Sequence, residues 1–217
     1  MIIDISLEGS NQLKENLKKF NIATWSIGRL YLACLGKYQG GVFKKAIIEV
    51  SRELAASEVN LIEDKVNVVE IHKTFDFELF FQLEDNYAKK KMLLEVLHDG
   101  MTLIAKHEGW DINQLQEAYD CCIKRNLEFR WLINNKYHLS PDKKYYAAIL
   151  CDWDIDKFEV SAVFFNKSKE EIVRTKLFEV MPNDIQLFGK MAWDEGTGEF
   201  CLFSKNEKQK WSALPPI

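Results

Sequence analysis

Three aspartates at alternate positions, Asp152, Asp154 and Asp156, follow the apolar run Tyr145-Tyr146-Ala147-Ala148-Ile149-Leu150. Hard carboxylate oxygens in the first, third and fifth places are how a calcium loop begins. Such a loop also needs glycine in the sixth place and a bidentate glutamate in the twelfth, and here those places hold Lys157 and Val163. The calcium reading fails there. Asp152 and Asp154 retain a second reading, the Asp-x-Asp pair with which some nucleotide-sugar transferases hold a divalent metal against a diphosphate. That chemistry needs a nucleotide-binding α/β half, and no region of the sequence reads as one. Alternate residues of a strand share a face, so the three carboxylates are expected on the solvated side of a hairpin turning at residues 154–157.

Other side chains able to do chemistry are dispersed. His98 and His107 are nine positions apart, which puts them on opposite sides of one helix, whereas a shared metal wants a spacing of three or four. His98 falls beside Leu94, Met101 and Ala105 and is expected as a satisfied, partly buried histidine; His107 complements the dipole at the helix end. His72 and His138 have no legible partner. The five cysteines include an adjacent pair, Cys121-Cys122, and no Cys-x-x-Cys, so neither a disulfide framework nor a thiolate zinc site is expected. That usage points to a reducing, cytoplasmic compartment, with Cys34, Cys151 and Cys201 as buried structural thiols. Gly-x-Ser-x-Gly, the P-loop and Gly-x-Gly-x-x-Gly patterns are absent, and Glu63-Asp64-Lys65 carries only a fragment of a nuclease motif. The sequence implies no cofactor and no bound metal.

Aromatic residues beside charge are more suggestive. Trp153 and Trp193 lie next to turns and acids, in "DWD" and "AWDEG", and interfaces enrich tryptophan inside a polar rim. Formal charge is −4, so no overall positive field draws the chain to nucleic acid or anionic lipid. Basic residues come in short runs such as Lys89-Lys90-Lys91, which read as solvated faces. No uncharged run approaches the ~18 residues of a membrane span, and Met1-Ile2-Ile3-Asp4-Ile5 has no basic region before an apolar one. The translated chain is therefore expected to be the mature one.

The elements that would position these residues follow from periodicity. Residues 1–8 read as a strand, and Ser10 precedes Leu13, Leu17 and Phe20 at helical spacing. Residues 22–54 fit helices or strands; β-branched content and the Gly36, Gly40, Gly41 cluster favour a β-hairpin. Residues 66–83 alternate, with Phe75, Phe77, Leu79 and Phe81 on one buried face of a strand. Leu93, Leu94, Leu97, Met101, Ile104 and Ala105 make the stripe of a helix over 85–108 that Gly109 ends. Asp111, with Gln114 three residues on, opens a second helix by a capping box, so that two antiparallel helices form a hairpin. Beyond Asn126 the runs "LEFRWLI", "KYYAAILCDW", "KFEVSAVFFN" and "EIVRTKLFEV" form a meander, and "GKMAWDEGTGEFCLFS" adds a hairpin with Gly196 and Gly198 at its tip.

With 47% apolar and 29% charged residues, all of the chain is expected to fold. The expected class is α+β, with antiparallel sheet segments flanking a central helical hairpin and a C-terminal β-meander. A single domain is expected over residues 1–217, with sub-halves 1–83 and 84–217. The expected role is that of a cytoplasmic, non-enzymatic, protein-binding protein of accessory or immunity type. Its contact surface would comprise Asp152, Trp153, Asp154, Asp156, Trp193, Asp194 and Glu195, facing a basic protein partner. Two alternatives remain: a divalent-metal-dependent enzyme using Asp152 and Asp154, and a small-ligand module with its pocket between the helical hairpin and the sheet.

Overall fold

Ile5 and Leu7 are buried while Asp4, Ser6 and Glu8 are not, and that alternation makes β1 (Asp4–Gly9) a strand with one covered face. The structure, a computed structural model, describes residues 1–10, 14–52, 59–60, 67–185 and 188–216. Residues 53–54 of the expected hairpin, Leu13 and the Glu63-Asp64-Lys65 fragment lie outside the described residues.

The segment read as a β-hairpin over 22–54 is one helix and one strand. Phe20, Ala23, Ile27, Leu30 and Tyr31 recur at helical spacing, and α1 (Lys14–Leu35) buries all of them against β1 and its neighbours. Gly36, at φ +63°, ends the helix, its N–H returning to Leu32 O. Only the stretch after the glycine cluster forms a strand, β2 (Lys45–Ser51), in which Ala46, Ile48 and Val50 are buried on one face. The short β3 (Val59–Asn60) and β4 (Val68–Thr74) complete a sheet of order β1-β2-β4-β3. β1 and β4 both run parallel to β2, and β3 is antiparallel to β4. The antiparallel pairing expected for this segment thus holds only at the β3 edge, because the α1 crossover returns the chain in the direction of β1.

The strand expected to run on to residue 83 stops at Thr74. Asp76 caps a short helix, α2 (Phe77–Gln82), by accepting from Leu79 N at 2.9 Å. Helical spacing then buries Phe77 and Phe80 and leaves Leu79 and Phe81 exposed, in place of the single buried face that alternation implied. Phe75, Phe77 and Phe80 close around Phe20 with ring centroids 4.8–5.4 Å from it.

The helical hairpin is as expected. Asp85 caps α3 (Asn86–Glu108) by accepting from Tyr87 N and Ala88 N, and Gly109 ends it in the left-handed region. Asp111 caps α4 (Ile112–Lys124). Gln114 does not return to the cap; its amide donates to Leu35 O and Lys37 O at the end of α1. A disulfide joins Cys34 of α1 to Cys121 of α4, which corrects the reading of the cysteines as unbridged; Cys122, Cys151 and Cys201 are buried free thiols.

The remaining strands are β5 (Phe129–Leu132), β6 (His138–Leu139), β7 (Tyr146–Trp153), β8 (Phe158–Phe165), β9 (Glu171–Val180), β10 (Phe188–Trp193), β11 (Phe200–Ser204) and β12 (Lys210–Ala213). β5-β7-β8-β9 form one sheet with β6 beside β7, and β10-β11-β12 form another. The β7-β8-β9 and β10-β11-β12 ladders are antiparallel meanders, and the α+β class holds. Ile149, Cys151, Phe158, Val160, Ala162, Phe164, Phe200 and Leu202 share the core of these two sheets. The chain divides into two compact units, Met1–Phe129 and Arg130–Ile217. Among the described residues no helix is long and apolar enough to cross a membrane.

Candidate functional site

The β7–β8 register places Asp152 opposite Glu159 and Trp153 opposite Phe158. Asp154 N donates to Lys157 O at 2.8 Å and closes the turn, while Asp154 Oδ1 accepts from Ile155 N at 2.8 Å. Ile155 is buried beneath the turn and Asp156 is exposed on it. Asp152 accepts from Arg130 Nε of β5 at 2.6 Å, a charge-assisted bond whose partners are both partly exposed. The half-buried Trp153 indole lies 6.4 Å from that of Trp131 and edge-on to Phe158 at 5.9 Å. Trp131, half-buried too, stands 5.9 Å from the same phenyl ring. Two adjoining indoles with a carboxylate rim are therefore fixed by strand pairing.

The second predicted cluster is built differently. Trp193 Nε1 donates to His138 O at 3.2 Å and its ring packs on Phe200 and Phe164. Asp194 Oδ1 accepts from Gly196 N and Thr197 N, and Oδ2 receives Lys210 Nζ at 3.0 Å. The Lys210 ammonium, with those amides, holds the Asp194 carboxyl below the usual carboxylate range. Glu195 is exposed at the tip. Of the two tip glycines, Gly198 adopts a positive φ, +72°, and Gly196 does not.

These clusters do not form one surface. Phe158 stacks on Phe188 at the start of β10, and Phe164 meets Trp193 at its end. The two contacts are six residues apart along β8, or roughly 20 Å at about 3.4 Å per residue. Asp152, Trp153, Asp154 and Asp156 accordingly occupy one end of the second unit, and Trp193, Asp194 and Glu195 the other. Arg130 and Trp131, which join the first group, escaped the sequence reading. The adjacent "FRW" was visible, but its placement depends on β5 pairing with β7.

Groups able to catalyse or bind metal are mostly committed elsewhere. His98 Nδ1 lies 3.0 Å from the Tyr31 hydroxyl, and burial pushes its pKa below the ordinary value against the pull of Asp99, as expected of a satisfied histidine. His107 sits 2.9 Å from Glu108. Burial raises the Cys122 and Cys151 thiols to about 12 and also raises that of Cys201, which disfavours the thiolate a nucleophile needs. Asp152 and Asp154 are engaged by Arg130 and Ile155 N. Among the described residues, one group brings three metal-ligating side chains together: Glu49, Glu70 and His72, with ligand atoms all within 4.8 Å. The junction of α3 with the first sheet is closely packed, since a Cβ at Gly100 would stand 2.5 Å from Ile48. An open hollow lies instead beside α2, lined by Arg52, Thr74, Phe75, Asp76, Phe77 and Glu78.

Neither a family model, a curated protein nor a solved structure matches the chain.

Proposed function

We propose that this protein works by binding another protein at the end of the second unit that carries Arg130, Trp131, Asp152, Trp153, Asp154 and Asp156. The observation supporting this is the pair of half-buried indoles, Trp131 and Trp153, set side by side next to the Arg130–Asp152 bond. Tryptophan and arginine dominate the energetic centres of protein interfaces, where a polar rim excludes water from apolar rings. Asp154 and Asp156 give that rim its negative character, which with the net charge of −4 suits a basic partner. The role is non-enzymatic. The raised thiols leave cysteine catalysis unfavoured, and the tip aspartates serve an ion pair and a turn.

The cytoplasmic setting expected from the cysteines loses its basis with the Cys34–Cys121 bond, because disulfides persist where the surroundings oxidise. Affinity capture from the source cells tests the interface. A basic partner recovered in fixed stoichiometry by the native chain and lost with the Asp154→Lys/Asp156→Lys variant is the expected result. Undiminished recovery by that variant, or no stoichiometric partner under varied growth conditions, contradicts it.

A further inference from the structure

We propose that Glu49, Glu70 and His72 hold a divalent transition-metal ion on the face of the first sheet turned away from α3. Ile48 is the residue of β2 that meets α3, at Gly100, so its neighbour Glu49 points to the opposite face. The parallel register sets His72 directly beside Glu49, and Glu70, two residues earlier in β4, shares that face. His72 Nδ1 lies 3.6 Å from Glu49 Oε2, and His72 Nε2 lies 3.2 Å from Glu70 Oε1.

Both ring nitrogens thus face carboxylate oxygens. A neutral imidazole has one N–H and one lone pair, so one of these contacts sets a lone pair against a carboxylate. A cation held by the unprotonated nitrogen and the carboxylate facing it removes that clash, and the other ring N–H donates to the second carboxylate. Ligand atoms bonded at ~2.0–2.2 Å to a tetrahedral ion stand about 3.4 Å apart, and one ligand atom from each of Glu49, Glu70 and His72 lies within 4.8 Å of the others. Glu70 is 7% exposed, and Glu49 and His72 are half-buried. A donor set of one imidazole and two carboxylates suits Zn²⁺, Mn²⁺ or Fe²⁺, whereas Mg²⁺ and Ca²⁺ prefer oxygen alone. Water would complete the shell.

This site shares no residue with the proposed protein interface and stands or falls separately. The test is titration of the purified full chain with Co²⁺, read as a visible absorption band, with Zn²⁺ as competitor and Mg²⁺ as control. The expected result is saturation at one equivalent, displacement by Zn²⁺ and no response to Mg²⁺. His72→Gln should abolish the band, and Glu49→Gln, at a half-buried position that leaves the fold intact by circular dichroism, should weaken binding by roughly 10–100-fold. Absence of saturable binding by the native chain overturns the proposal, and so does an equal response to Mg²⁺. Binding retained in both variants overturns it as well, because the ion then sits elsewhere; the three side chains would form only an imidazolium clasped by two carboxylates.

Discussion

His98 shows how one buried side chain ties stability to pH. Its ring lies 4.8 Å from that of Tyr119 and its Nδ1 faces the Tyr31 hydroxyl, and burial holds its pKa below 6.5. Unfolding frees the ring to take a proton, so near and below pH 6.5 the unfolded chain binds more protons than the folded one. The stabilising contribution is complete above the unfolded value and is lost as pH falls from there through the lower folded value. Between neutral pH and about pH 5.5 the melting temperature of the native chain should fall more than that of His98→Gln. Equal falls in both would contradict the assignment. This histidine was legible from the stripe it joins, whereas His72 was not. Its carboxylate neighbour Glu49 lies on a different strand, and only the parallel register of β2 and β4 puts the two side by side. Asp152 gave a similar lesson, since its partner Arg130 belongs to a strand whose neighbour in the sheet is not adjacent in sequence.

At the scale of elements, local signals succeeded where one period dominated and failed where two competed. The α3 stripe, its Gly109 stop and the strands of the second unit were readable because capping and alternation agreed. In residues 22–54 the β-branched content outvoted a helical period that α1 satisfies by burying Ala23, Ile27, Leu30 and Tyr31. In residues 75–82 an alternating phenylalanine pattern concealed the Asp76 cap, which starts a helix and rotates Leu79 and Phe81 into solvent. Gly100 carries a prediction at this scale. Alanine there would gain about 1 kcal/mol of helix propensity, but its methyl would press on Ile48, a fully buried side chain of β2. Overpacking costs about 1–3 kcal/mol, so Gly100→Ala should lower the urea midpoint. An unchanged or raised midpoint would show that α3 and the sheet have slack between them.

For the molecule as a whole, the disulfide is the largest departure from what composition implied. It joins positions 87 residues apart in sequence within the first unit, Cys34 near the end of α1 and Cys121 on α4. In the chain-entropy account, a link closing a loop of that size stabilises by about 4–5 kcal/mol. The Cys34→Ser/Cys121→Ser variant should therefore unfold at distinctly lower denaturant, and thiol reduction should bring the native chain to the same midpoint. Identical midpoints for oxidised chain and variant would contradict the bond's role. Distant cysteines were beyond sequence reading because their proximity is a product of α1 packing on α4. The most direct test of the proposed function is amide hydrogen exchange on the chain with its captured partner. The account predicts slowed exchange at residues 130–131 and in the turn at 152–157, with the 194–199 tip unchanged; slowing confined to that tip or to the first unit would contradict it.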